Sequence, residues 1–126
     1  MPRLEHVNLT AADADAMAAT FRDLFDWRIR WSGEVLGGAG RSVHVGDDDG
    51  YLAIYSPAGG VAAPPDSYTT RHGLNHVGIV VDDLAATEAR VRDAGFAPHS
   101  HADYEPGRRF YFDGPEGLEI EVVAYG

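Results

Sequence analysis

Hydrophobic and polar residues alternate along several short segments of the chain, while other segments follow a helical period. Residues 4–10 alternate in the way that predicts a half-buried β-strand. Residues 14–27 follow Thr10 or Asp13, either of which can cap a helix, and their apolar side chains share one helical face. Three more alternating segments come next, at residues 27–31, 41–45 and 51–56. The first half therefore predicts the order strand, helix, strand, strand, strand.

The same order of patterns restarts in the second half. LNHVGIV, residues 74–80, repeats LEHVNLT, so that His76 follows His6 by 70 residues. An aspartate can again cap a helix, and Gly95 fits the position that follows a helix C-terminus. GRRFYFD and LEIEVVA then mirror GRSVHVG and YLAIYS of the first half. Residues 96–101 are predicted as a short strand, within a histidine-containing segment that otherwise reads as a solvated loop.

The repeat divides one domain, residues 1–126, into two modules. Module one is 1–56, a linker without periodicity is 57–72, and module two is 73–126. A solenoid needs at least three short repeats, so two copies indicate a duplicated module instead. The predicted fold class is α+β, with two tandem β-α-β-β-β modules.

Composition narrows the possible functions. The net charge is -10 and the basic residues are all arginine, which argues against nucleic acid or an anionic membrane as a partner. The absence of cysteine and lysine excludes thiol nucleophiles, disulfides and Schiff-base chemistry. No apolar segment approaches the length of a membrane span, and the N-terminus lacks the pattern of a signal peptide. We therefore expect a cytoplasmic protein.

The duplicated module, a histidine near the head of each first strand and the tail PEGLEIEV together resemble the vicinal oxygen chelate superfamily. This superfamily includes glyoxalases, bleomycin resistance proteins and extradiol dioxygenases. The resemblance covers essentially the whole chain. It implies that each module curls its mixed sheet into half of a cup around one divalent metal ion (iron, zinc, manganese or nickel), with His6, His76 and Glu121 as ligands. Such a metal acts as a Lewis acid on vicinal oxygens of the substrate.

Strand alternation is consistent with these ligands and names one substitute. Glu119 and Glu121 share one face of the last strand, so Glu119 is the fallback carboxylate. In the first module either Ala53 or Ile54 takes the position of a fourth ligand, depending on the alignment, and neither side chain can bind metal. Two histidines and one carboxylate with open positions are typical of non-haem iron oxygenases. The alternative interpretation is that His6 and His76 are core histidines that hydrogen-bond to the backbone.

Further residues are predicted to line the cup. Tyr111 and His44 occupy matching positions in the two copies and are candidate catalytic acid and base. Arg109 shares the face of Tyr111 and could bind a substrate carboxylate, and Tyr55 is a candidate wall of the substrate pocket.

The predicted function is a metal-dependent enzyme for a small oxygenated substrate, either a lyase or isomerase or a ring-cleaving dioxygenase. The alternative is a metal-free protein that sequesters a small molecule, as bleomycin resistance proteins do. A fosfomycin-type transferase would use the same ligands, but the chain has no basic cluster for a phosphonate. We expect a homodimer, in which the cup forms either within one chain or between two.

Overall fold

The structure is a computed structural model that describes residues 1–125. Within them, the elements follow the predicted order in both halves of the chain. The strands are β1 (His6–Thr10), β2 (Arg28–Val35), β3 (Gly40–Gly46), β4 (Tyr51–Pro57), β5 (Val77–Val80), β6 (His99–Tyr104), β7 (Gly107–Asp113) and β8 (Glu119–Tyr125), and the helices are α1 (Ala14–Phe25) and α2 (Leu84–Asp93). The prediction of an α+β fold with two β-α-β-β-β modules is confirmed. No described helix is both long and apolar enough to cross a membrane.

The chain forms two compact units, Met1–Ala63 and a second unit that begins at Pro64. The boundary falls inside the predicted linker, residues 57–72. Each unit contains one helix and one four-stranded mixed sheet, whose orders are β1-β4-β3-β2 and β5-β8-β7-β6. In each sheet the first strand runs parallel to the last strand of its unit, and the other neighbouring strands are antiparallel.

The core of the first unit lies between its helix and one face of its sheet. Helix α1 begins after Asp13, whose carboxylate accepts a hydrogen bond from the amide of Ala16 at 3.0 Å. The apolar stripe of α1 contacts β3 and β4. Its centre is a set of fully buried side chains: Phe21, Val43, Val45 and Ile54. The strand residues between these positions lie on the opposite face, as alternation requires.

The core of the second unit is built in the same way, with Phe110, Phe112, Ile120, Val122 and Val91 fully buried. Helix α2 ends at Asp93, Ala94 is its C-cap residue, and Gly95 adopts a positive φ of 95°. The amides of Gly95 and Phe96 then donate to the carbonyls of Arg92 and Val91. This is the Schellman arrangement, which confirms the glycine as a helix-terminating residue.

Strand β6 differs from its prediction. It covers His99–Tyr104 rather than 96–101, and His99 and His101 therefore lie in a strand, not in a loop. Ser100 has a positive φ of 56°, and the pairing with β7 is irregular between His99 and Ala102. Because this irregularity interrupts the alternation of side chains and most of the residues are polar, the segment lacks the pattern that marks a strand.

Candidate functional site

Strand pairing places Glu121 at the centre of a polar face in the second unit. Glu121 in β8 lies opposite Tyr111 in β7 and opposite Gly78 in β5. Gly78 is two residues after His76, which immediately precedes β5. Since strand sides alternate, His76, Tyr111 and Glu121 share the face that points away from the phenylalanine core.

The same pairing identifies the counterpart of Glu121 in the first unit. Ala53 in β4 lies opposite His44 in β3 and opposite Asn8 in β1, two residues after His6. Ala53 therefore occupies the position of Glu121. Ile54 is fully buried on the other face of the sheet. The choice that the sequence left open is decided: the first unit has alanine, and no carboxylate, at this position.

His76 lies between two carboxylates. Its Nε2 is 3.3 Å from Oε1 of Glu121, and its Nδ1 is 3.6 Å from Oε2 of Glu119. The longer distance exceeds that of a hydrogen bond. Nδ1 is buried and has no hydrogen-bond partner among the described residues. The two edges of the imidazole thus face different acidic groups, and the Nε2 edge faces the predicted ligand Glu121.

Tyr68 is a member of this cluster that the sequence did not indicate, because it lies in the segment predicted as a linker. Its hydroxyl donates a hydrogen bond to Glu119, which raises the pKa of Tyr68 to about 12. Tyr68 lies in a turn, where the amide of Thr70 donates to the carbonyl of Asp66 at 3.0 Å, and the side-chain amide of Asn75 donates to the carbonyl of Ser67 at 2.8 Å. No periodic pattern could have indicated this contact, which joins residues 51 positions apart.

The carboxylate of Glu121 also binds two donors on β7. Its Oε2 accepts a hydrogen bond from Nη1 of Arg109 at 2.9 Å and one from the hydroxyl of Tyr111 at 3.1 Å. The side chains of the ion pair are only 11% and 13% exposed. Burial, followed by the hydrogen bond and charge of Glu121, raises the pKa of Tyr111, so its phenol is protonated at neutral pH.

Two predicted residues of the first unit, His6 and His44, belong to a separate aromatic group. The ring of Tyr51 stacks with that of His6 at 4.9 Å and with that of His44 at 4.6 Å. Trp31 packs against His44, with the ring centres 5.1 Å apart. Nδ1 of His6 lies 2.8 Å from the carboxylate of Glu5, which leaves Nε2 as the nitrogen for a further ligand.

His44 is suited to accept a proton. Burial lowers its pKa, and the nearby charges of His6 and Arg30 act in the same direction. The imidazole is consequently neutral at neutral pH.

Three members of the aromatic group, His6, His44 and Tyr51, line a cavity of about 620 Å³ in the first unit. The lining residues are His6, Asn8, Leu9, Thr10, Val35, Leu36, Ser42, His44, Tyr51, Ala53 and Tyr55. The cavity contains the predicted catalytic residue His44 and the predicted substrate-binding residue Tyr55. Its mixture of aromatic, apolar and hydroxyl groups is typical of a small-molecule site.

Two of the predicted metal-ligand atoms lie close to each other in the structure. Among residues 1–125, no three His, Cys, Asp or Glu side chains lie close enough together to hold a metal ion. The second unit offers two donor atoms of suitable kind, Nε2 of His76 and Oε1 of Glu121, at 3.3 Å from each other. Two ligands on a common metal at 2.0–2.2 Å typically lie about 3 Å apart. His6 belongs to the first unit, and the three-ligand set stays a prediction.

A family model described as the glyoxalase/bleomycin resistance protein/dioxygenase superfamily matches residues 3–122. No curated protein sequence matches the chain. The matched range includes His6, His76 and Glu121, so the family match extends over the two units.

Solved structures agree with this match. A glyoxylase/bleomycin resistance protein/dioxygenase domain from Frankia sp. EAN1pec is 22% identical, with a TM-score of 0.82 over 100% of this chain and 99% of that one. An antibiotic binding protein, TnmS3 from Streptomyces sp. CB03234, is 17% identical, with a TM-score of 0.76 over 100% and 98%. A mutant of the fosfomycin resistance protein FosX from Listeria monocytogenes, in complex with Mn(II) and 1S,2S-dihydroxypropylphosphonic acid, is 15% identical, with a TM-score of 0.74 over 98% and 92%. At these identities the likeness shows the shared fold.

Proposed function

This chain belongs to the glyoxalase/bleomycin resistance protein/dioxygenase superfamily, and on that premise we propose that it is a metal-dependent enzyme for a small oxygenated substrate. In this proposal His6, His76 and Glu121 hold one divalent ion. The observation that carries the proposal is the 3.3 Å separation of Nε2 of His76 from Oε1 of Glu121. When bound, the ion would supply Lewis acidity to adjacent oxygens of the substrate.

The surroundings of both histidines support this use. A carboxylate lies on the Nδ1 side of each ring, Glu5 beside His6 and Glu119 beside His76. Metal-binding histidines commonly direct their other ring nitrogen at a carboxylate, which orients the ring and leaves one nitrogen for the metal. Tyr68 extends this arrangement in the second unit, because its hydroxyl donates to Glu119.

Two further residues have protonation states that suit acid–base chemistry. Tyr111 is protonated at neutral pH and could donate a proton or a hydrogen bond to a substrate oxygen. His44 is neutral and could accept a proton. Because Ala53 supplies no fourth ligand, the donor set is two histidines and one carboxylate, which favours a ring-cleaving dioxygenase over a lyase or isomerase.

Metal titration of the protein tests the proposal. Protein purified without a histidine tag and stripped with chelator is titrated with Fe²⁺, Zn²⁺, Mn²⁺ and Ni²⁺ at pH 8, and binding is followed by calorimetry. We expect one ion per chain, and preferred activity with Fe²⁺ on a catechol would identify the dioxygenase. A protein that binds none of the four ions would contradict the proposal.

A metal-free binding protein is the second candidate, and the aromatic group of the first unit favours it. Trp31, His44, Tyr51 and His6 form a continuous series of ring contacts beside the cavity. Planar ligands bind well to such surfaces, because aromatic pairs add about 0.5–1.5 kcal/mol beyond the area that they bury.

Binding of 2,3-dihydroxynaphthalene in the presence of EDTA tests this candidate. Quenching of tryptophan fluorescence is expected for the parent protein, with at least tenfold weaker binding in Tyr51→Ala. Tyr125→Ala is the matched control, since Tyr125 is an exposed tyrosine of the second unit. If the parent binds the naphthalene only after metal is restored, the metal-free candidate is wrong.

A further inference from the structure

The two oxygens of the Glu121 carboxylate have different partners. Oε2 accepts from Arg109 at 2.9 Å and from Tyr111 at 3.1 Å, whereas Oε1 lies 3.3 Å from Nε2 of His76. The guanidinium therefore approaches the carboxylate from the side that the proposed metal does not use.

Arg109 is held firmly in this position. Its Nη2 donates to the carbonyl of Gly107 at 3.2 Å, and its guanidinium lies 4.6 Å from the centre of the Tyr104 ring. The side chain is 11% exposed, and its buried Nε has no partner within the described residues. The positive charge thus stays fixed next to Glu121, because moving it would break the ion pair and the ring contact.

The ion pair is not a requirement of the sheet. Arg109 lies opposite Val123 in β8, two residues after Glu121, and the equivalent position in the first unit, opposite Tyr55, is Ser42. The first sheet therefore forms the same strand order with serine and alanine at these two positions. Of the two units, only the second has the arginine and the carboxylate at these positions. The ion pair therefore serves the site and is not needed to form the sheet.

We propose that Arg109 is a positioning residue that orients Glu121 and weakens its attraction for a divalent cation. The inference rests on the proposed function of the site. A fixed positive charge near the ligand opposes a second cation through space, and this opposition is strong where water is excluded. The hydroxyl of Tyr111 also orients the Glu121 carboxylate, so one hydrogen-bond donor stays in place when the arginine charge is removed. Glu121, which shares its charge with Arg109, would donate less of that charge to a bound metal, and the metal would then be a stronger Lewis acid toward the substrate.

The test compares variants with and without this charge by competition with a chromophoric chelator for Zn²⁺ and Mn²⁺ at pH 8. We expect Arg109→Met to bind both ions at least tenfold more tightly than the parent. Arg109→Lys keeps the charge and is expected to bind within about threefold of the parent. Arg108→Gln is the matched control, since Arg108 is the exposed neighbour on the opposite face of the same strand, and its affinity should be unchanged.

Circular dichroism of the stripped variants establishes that each is folded before affinities are compared. If the parent binds metal and Arg109→Met binds it equally or more weakly, the inference is wrong while the proposed function stands. If neither the parent nor Arg109→Met binds metal, both are wrong. If Arg108→Gln tightens binding as much as Arg109→Met does, the effect is one of net charge and the specific role of Arg109 is refuted.

Discussion

Replacing His76 with alanine is expected to weaken divalent-metal binding by roughly 100-fold or more, since even the outer partners of metal ligands are worth about 10–100-fold in affinity. The reason is the position of Nε2, which faces Oε1 of Glu121 at 3.3 Å. Chelator competition at pH 8 measures the loss. His101→Ala is the matched control, because this imidazole lies 3.1 Å from Glu88 and its removal should leave the affinity unchanged. Equal affinities of His76→Ala and the parent would remove His76 from the ligand set.

His6→Ala extends the experiment to the first unit, and the same loss is expected if His6 is the third ligand. A refolded equimolar mixture of His6→Ala and His76→Ala then separates the two ways of completing the site. If each site takes His6 from one chain and His76 from another, the mixed dimer regains one intact site. If each site lies within one chain, the mixture binds no more metal than the separate variants.

Replacing Glu121 with alanine is expected to lower the free energy of unfolding in the presence of EDTA, because the substitution removes the counter-charge of the part-buried Arg109 guanidinium. The substitution removes the partner of Arg109 and leaves a guanidinium that is 11% exposed without its counter-charge. Urea denaturation followed by circular dichroism measures the change.

A double variant provides the control for this stability effect. Arg109→Met combined with Glu121→Met replaces both charges by apolar side chains of similar length, and we expect its free energy of unfolding to stay close to that of the parent. If Glu121→Ala lowers the free energy of unfolding no more than the double variant does, the ion pair is not buried in the folded protein. The stability result does not depend on metal, so it tests the site geometry independently of the proposed function.

The sequence was sufficient for the duplicated fold because its signals are local. The alternation of Phe110 and Phe112 with Arg109 and Tyr111 assigns two faces to β7, and the structure buries the phenylalanines. The signal for Gly95 is equally local, since the positive φ that follows a helix favours glycine. Strand β6 was misplaced because its irregular pairing removes the alternation on which such a prediction depends.

The contacts of the site could not be obtained in this way. Whether Ala53 or Ile54 matches Glu121 depends on the pairing of three strands, and a shift of one residue would exchange the two faces. From the sequence, Arg109 was predicted to bind a substrate carboxylate, but in the structure its guanidinium binds the carboxylate of Glu121. Tyr68 contacts Glu119 from the segment that was predicted as a linker, which has no periodic pattern.

The sequence by itself determined the two β-α-β-β-β modules, the family resemblance and the residue types available for chemistry, because periodicity and repetition are visible in the order of residues along the chain. Only the tertiary structure decided that Glu121 is shared among His76, Arg109 and Tyr111, and that the matching position in the first unit is Ala53. Strand register and side-chain partners join residues that are distant in the chain, and the charge and protonation of a site depend on those partners.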